Sequence, residues 1–324
     1  MTSTPSAPTR TLGRSSLEVG PLCLGGNVFG WTIDEQRSFA VLDAFVAAGG
    51  NFIDTADVYA VWANDGDGGD SETIIGNWIR ARGGKPEGLV IATKVGSPMP
   101  YGWGLGREHV LDSAKRSIER LGVDAIDLYY AHRDDDDTPL EETLGAFDEL
   151  VREGLVRAIG ASNYGAARLT EALDISEREG WARYEVLQPG YNLIDRADFE
   201  GELQQLCLDR GLAVAPYYAL AAGFLTGKYQ RGGDMPDTRR AKSTLDRYGD
   251  ERGWRVVAAL DQVAGELDAT PAQVALAWLA SQPGIVAPIA SATTVEQLEQ
   301  LLGAARLQLT QQQLALLDDA STAD

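Results

Sequence analysis

LVIATKVGSPMPYGWGLGREHVLDSAKRSIERLGVDAIDLYYAHR, residues 89–133, holds the unit whose reading decides the fold. Its two ends, LVIATKV (89–95) and AIDLYYAH (125–132), are short, β-rich and apolar. Continuous apolar character suits parallel strands buried on both faces. Between them REHVLDSAKRSIERLG (107–122) carries apolar residues at helical spacing and closes on glycine, a helix stop signal. Two parallel strands need a long crossover of this kind, and a helix is its usual form.

The same unit recurs along the chain. Six further runs resemble the first two: PLCLGG (21–26), NFIDT (51–55), VRAIGAS (156–162), YEVLQPGY (184–191), LAVAPYY (212–218) and IVAPIAS (285–291). Helical patterns alternate with them, among them DEQRSFAVLDAFVAAGG after the first run and TPAQVALAWLASQPG before the last. The Thr-Pro opening of the latter matches an N-cap followed by proline at the first helical position. Eight strands alternating with helices predict a (β/α)8 TIM barrel. A doubly wound open sheet, the rival, carries a GxGxxG turn after its first strand. Here that turn reads GGNVFG, a poor match. Residues 10–324 are expected to form this single domain, with a flexible tail over 1–9. A long polar loop is expected over QRGGDMPDTRRAKSTLDRYGDERG (230–253).

Composition narrows the function. The chain has 324 residues, 44% of them hydrophobic, and a net charge of −20. Such a balance opposes binding to nucleic-acid backbones or anionic membranes. No run approaches the ~18 apolar residues of a membrane span. The polar opening MTSTPSAPTR has no signal-peptide core. Two cysteines, Cys23 and Cys207, are too few for a disulfide scaffold. These features together predict a cytoplasmic protein that binds neither nucleic acid nor membrane. They leave its oligomeric state open.

In such a barrel the strand C-termini point to the face where active sites form. Asp54 ends the second run, with Tyr59 five residues on. Lys94 ends the third, His132 the fourth, Ser162 and Asn163 the fifth, Gln188 the sixth, Tyr217 and Tyr218 the seventh, and Ser291 the eighth. Taken singly, each is a cap, a turn residue or core. Together an acid, a phenol, an ammonium and an imidazole converge from consecutive strands. A phenol with its ordinary pKa near ~10 donates a proton poorly at neutral pH. An adjacent ammonium favours the phenolate and lowers that value. Lys94 is expected to do this to Tyr59, with Asp54 holding Lys94 and His132 donating to a carbonyl oxygen.

These stretches resemble the aldo-keto reductase family. The likeness runs from RTLGRSSLEVGPLCLGGNVFG to PIASATTVEQLEQL and is carried by NFIDTADVYA, IATKVG, LYYAHR, GLVRAIGASNYG, LQPGYN and AAGFLTGKY. It implies a (β/α)8 barrel that binds NADPH and reduces aldehydes or ketones reversibly by hydride transfer. Carried over, the family's catalytic residues fall on Asp54, Tyr59, Lys94 and His132. Ser162, Asn163 and Gln188 fall where the nicotinamide amide is held, and Tyr217 where an aromatic ring stacks on it. Leu220 and Gly223 fit the pyrophosphate loop. Lys228 and Arg240 fall where some branches place cations on the phosphates. In the last cofactor segment, Ser291, Thr293, Gln297 and Gln300 are the matching polar positions. No cation stands there, so NADH use is not excluded.

Trp31, Trp62, Tyr101 and Trp103 follow strand ends and are candidates for an apolar substrate pocket. No metal site is expected. The acidic run Asp134–Asp137 lacks the pattern of a calcium loop and is expected to be solvated, partly neutralising Arg133. Two other functions fit the same barrel. One is an NADPH-sensing binding module like the channel-associated β subunits. The other is a Schiff-base aldolase with Lys94 as nucleophile.

Overall fold

The computed structural model describes residues 9–63, 66–234, 236 and 241–322. Eight parallel strands form one sheet: β1 (Cys23–Gly25), β2 (Phe52–Asp54), β3 (Val90–Val95), β4 (Ile126–Ala131), β5 (Val156–Ser162), β6 (Tyr184–Gln188), β7 (Ala213–Val214) and β8 (Ile289–Ala290). Each pairs with its neighbour in chain order, and β8 returns to pair with β1. The remaining edge is joined through the chain entering β8. There Val286 N donates to Val214 O at 2.9 Å and Ile289 N to Pro216 O at 2.9 Å. The fold is a (β/α)8 barrel.

Helices cover the outside: α1 (Glu35–Ala47), α2 (Asp70–Ala81), α3 (Arg107–Leu121), α4 (Leu140–Arg152), α5 (Ala166–Glu179) and α6 (Glu202–Arg210), each following the strand of the same number. After β7 come α7 (Ala241–Tyr248), α8 (Glu251–Leu267) and α9 (Pro271–Ser281), and after β8 come α10 (Val295–Gly303) and α11 (Gln311–Ser321). The Thr-Pro signal is realised at α9. Thr270 Oγ1 accepts from Gln273 N while Thr270 N donates to Gln273 Oε1, with Pro271 at the first helical position.

Strand alternation sorts side chains between two cores. Val90, Ala92, Leu128, Tyr130, Ala158 and Val186 fill the barrel, while Ile91, Val95, Tyr129 and Ile159 pack under the helices. Gly160 has a steric reason to be glycine. A Cβ there would lie 2.5 Å from Cε1 of Tyr130, whose ring fills the barrel below the site. The C-terminal ends of the strands are left for polar groups.

Two differences from the sequence reading concern loops. Residues 230–253 are not one long loop, because α7 occupies Ala241–Tyr248 and α8 begins at Glu251. Ala241, Thr244 and Tyr248 bury one face of α7, which explains why so polar a segment is helical. At the other end, Arg10–Thr11 and Glu18–Val19 pair as an antiparallel hairpin. Its Leu12, Leu17 and Val19 join the inner core beside Cys23, Phe52 and Val90, where the strands begin. The tail expected over 1–9 lies outside the described residues except for Thr9.

Candidate active site

The side chains Asp54, Lys94 and Gln188 come from the last inward-facing positions of β2, β3 and β6. Lys94 is 0% exposed, and its ammonium uses all three of its donors. It reaches Asp54 Oδ2 at 2.7 Å, Thr55 O at 2.7 Å and Tyr59 OH at 2.9 Å. Its Nζ also lies 4.7 Å from the centre of the Tyr59 ring. Asp54 is closed from the other side by Gln188, whose Nε2 donates to Oδ1 at 2.8 Å. A buried ion pair needs such supporting bonds, since the mutual attraction alone barely offsets desolvation.

Tyr59 stands on the turn after β2. Its hydroxyl lies 3.3 Å from Asp54 Oδ2, a long contact beside the 2.9 Å bond it accepts from Lys94. Burial pushes its pKa well above the ordinary value, and the Asp54 charge pushes the same way. This reverses the expected lowering. The Lys94 charge is already matched by Asp54, so the half-buried phenol has little net charge beside it to favour its anion.

His132 follows β4, and its N donates to Val95 O at 2.8 Å. Its ring is 6.1 Å from that of Tyr59, nearly perpendicular at 78°. Burial, Lys94 and Arg133 all depress its pKa well below the ordinary value, so the imidazole is neutral. Its Nδ1 is buried with no hydrogen-bond partner among the described residues. The four predicted catalytic residues are thus brought together at one barrel mouth.

A polar chain runs from this group along the sheet. Ser162 Oγ donates to Gln188 O at 2.9 Å. Asn163 adopts φ 59°, a left-handed conformation that asparagine tolerates better than most residues. That turn directs its Nδ2 to His132 O at 2.9 Å and to Ser162 Oγ at 3.0 Å. Its Oδ1 accepts from Tyr217 OH at 2.6 Å. Ser162, Asn163, Gln188 and Tyr217, the four residues expected at one ligand, are therefore contiguous.

The loop expected to carry a pyrophosphate leaves β7 through residues of positive φ: Tyr218 at 55°, Ala221 at 46°, Ala222 at 54° and Gly223 at 91°. Gly223 N donates to Leu220 O at 2.8 Å. Lys228 Nζ lies 2.8 Å from where a Cβ on Gly223 would stand. Among the described residues this ammonium has no carboxylate partner, in a chain of net charge −20. An unpaired cation against a tight turn fits an anionic group. Ser291 donates to Asn27 Oδ1, and the Thr293 amide and hydroxyl both reach Gln297 Oε1 at 2.9 Å. Gln300 is exposed, with its carbonyl bonded to Gln273. Arg240 lies outside the described residues.

Of the candidate pocket aromatics, Trp31 and Trp62 meet edge to face at 5.5 Å, and Trp62 lies 6.4 Å from Tyr59. Trp62 is 51% exposed, so a broad part of its ring is open to solvent beside Tyr59. Trp103 is 60% exposed and makes no ring contact with this group. Tyr101 turns away to Arg116 and His109. Among the described residues the acidic run forms no ion pair with Arg133. Asp134 pairs with Arg168 at 2.9 Å, and Asp135 accepts from Leu105 N and Thr138 Oγ1 at 2.7 Å each.

A profile of the Aldo/keto reductase family matches residues 21–322. The chain belongs to the aldo/keto reductase family. Similar proteins include one named probable voltage-gated potassium channel subunit beta, from Arabidopsis thaliana. It is 35% identical over 298 residues, covering 90% of this chain and 89% of that one. Aldo-keto reductase str7 of Strobilurus tenacellus is 34% identical over 95% of this chain and 90% of its own. Protein tas of Escherichia coli is 33% identical over 94% of each. This family member is thus of an oxidoreductase class that acts on small molecules. Among its described residues no helix is long and apolar enough to cross a membrane.

Sequence reasoning missed three parts of this aldo/keto reductase site. The Thr55 carbonyl is a third partner of Lys94, which no side-chain pattern reveals. Gln188 bonds Asp54 directly. Asp57, 0% exposed, is the third. It stands in the same NFIDTADVYA stretch but is one of many acids, and only its burial distinguishes it.

Proposed function

We propose that the protein is an NADP-dependent oxidoreductase that reduces aldehydes or ketones to alcohols. The observation that carries this reading is the saturated Lys94 ammonium, which holds a neutral, half-buried phenol beside a neutral imidazole. Ser162, Asn163, Gln188 and Tyr217 would hold a nicotinamide, and Lys228 with the Leu220–Gly223 turn its diphosphate. The reduced nicotinamide, when bound, supplies the hydride. His132 hydrogen-bonds the carbonyl oxygen and orients it toward Tyr59. As negative charge develops on that oxygen, it becomes a stronger base than a phenolate and takes the Tyr59 proton. The Lys94 N–H at 2.9 Å meets the charge left on the phenol oxygen. A well-placed general acid contributes about 10²–10⁴-fold. The phenol's raised pKa keeps the proton available at neutral pH. Lys94 and Asp54 act on the phenolate as it forms.

Replacing Tyr59 by Phe removes the proton and keeps the ring. Turnover of 4-nitrobenzaldehyde with NADPH should fall at least about 10²-fold. NADPH binding, followed by tryptophan quenching, should stay within about twofold, since the ring and its packing are retained. Full activity in the variant sinks the assignment.

A second reading is an NADPH-sensing module resembling channel β subunits, favoured by the names of the plant relatives. Its mark would be a stoichiometric membrane partner in a pull-down together with negligible turnover.

A further inference from the structure

Behind the catalytic group, on the outer side of β3, lies a second cluster of buried charge. Thr93 and Lys94 are neighbours on one strand, so their side chains take opposite faces. Lys94 points to Asp54. Thr93 Oγ1 instead bonds Glu72 Oε1 of α2, whose Oε2 accepts from Arg120 Nε of α3 at 2.6 Å. Asp57 enters the same chamber from the turn after β2. Among the described residues neither of its carboxyl oxygens has a side-chain hydrogen-bond partner, and the buried hydroxyl of Tyr129 on β4 has none either.

Charge counting decides the state of Asp57. The groups facing it are Glu72 from α2, Arg120 from α3, Lys94 from β3, Tyr129 from β4 and Tyr101 from the loop before α3. Lys94 is matched by Asp54 and Arg120 by Glu72. Asp57 is the third acid against two cations. An unpaired buried carboxylate is costly, and the group takes up a proton instead. Burial, then Glu72, raise its pKa to about 8, against the pull of Arg120, the Val58 amide and Lys94.

The backbone of Asp57 ties the same turn to its surroundings. Its N donates to Lys94 O at 3.4 Å, and its O accepts from Gly69 N at 2.6 Å, at the start of α2. Tyr59 is two residues further on. We propose that Asp57 is a positioning residue for Tyr59: as a neutral acid closed between β3, α2 and α3 it fixes the turn that presents the phenol, and its ionisation releases that turn. The inference rests on the reading of Tyr59 as proton donor. An ionised Asp57 must reach water, and the turn moves with it.

The test compares the native chain with Asp57→Asn, a neutral isostere, from pH 6 to pH 9. Reduction of 4-nitrobenzaldehyde by NADPH gives kcat. For the native chain kcat should be about tenfold lower at pH 9 than at pH 6, following the neutral fraction of Asp57. The variant should stay within about twofold over that range. The Tyr59 titration lies higher and does not produce this limb. Superimposed profiles overturn the proposal. Urea unfolding without cofactor provides a second arm. The native chain should lose stability from pH 6 to pH 9 relative to the variant, and parallel curves overturn the proposal whatever the catalysis. Trp62 lies 6.4 Å from Tyr59 and reports the turn by fluorescence. A native-minus-variant change centred near pH 8 supports the release of the turn, and a flat difference overturns it. If neither protein reduces a carbonyl, the donor reading of Tyr59 fails and the inference falls with it. Unfolding and fluorescence then still show whether Asp57 ionises and moves the turn.

Discussion

Replacing Lys94 by Met isolates what the buried ion pair does for the fold. The change leaves Asp54 as a carboxylate that is 2% exposed, with only Gln188 and the distant Tyr59 hydroxyl to answer it. Breaking a buried pair on one side costs about 3–5 kcal/mol. The Thr55 carbonyl also loses its donor, and an unsatisfied buried group adds about 1–3 kcal/mol. A loss near 5 kcal/mol is comparable to the whole stability of many domains, about 5–15 kcal/mol. Asp54→Asn made in the Lys94→Met background removes the stranded charge. The double variant should therefore be more stable than Lys94→Met alone, with a coupling energy of about 2–3 kcal/mol. Urea unfolding of the four proteins at neutral pH, followed by tryptophan fluorescence, measures each term. Additivity within about 0.5 kcal/mol would show that the two residues do not depend on each other, and the account of the site as one charge-balanced unit would fail.

The other predictions concern single groups. The chain has two histidines, His109 and His132, so imidazole NMR resonances are assigned by one substitution. The depressed pKa of His132 predicts that its ring takes up a proton only at a pH below the ordinary ~6.5; a midpoint at or above that value refutes its burial beside Lys94. Lys228→Gln should weaken NADP binding about tenfold, the scale of one charge-assisted bond, while leaving the unfolding midpoint unchanged. An unchanged dissociation constant removes Lys228 from the cofactor site.

Much of the barrel was legible because β3 and β4 are buried along their whole length, and β5 all but Arg157, so that they read as largely apolar runs. The seventh and eighth runs were longer on paper than in the fold. LAVAPYY yields only Ala213–Val214 and IVAPIAS only Ile289–Ala290. Pro216 and Pro288 lack the N–H a ladder needs, which limits regular pairing there. The N-terminal hairpin was missed because its strands are two residues each. Helix α7 was missed because its buried positions, Ala241, Thr244 and Tyr248, are diluted by charged neighbours. At the site, the four strand-end residues could be read from position, since a barrel sends every strand end to one face. The pKa of Tyr59 could not. Its direction depends on whether Lys94 has a charge to spare, and that is settled by the 2.7 Å contact with Asp54. Asp57 was hidden for the same reason, because its state follows from a count of partners already taken.

The uneven strand lengths have a mechanical consequence. β3 and β4 run six residues and β5 seven, whereas β7 and β8 run two each. Regular pairing is therefore densest on one side of the barrel and thinnest on the other. Lys94, His132 and Ser162 are mounted on or beside the densely paired side. The Tyr217–Lys228 and Ser291–Gln300 segments, to which we assign the cofactor, leave from the thinly paired one. The backbone there is spent less on ladders and more on the turns that our reading gives to a ligand.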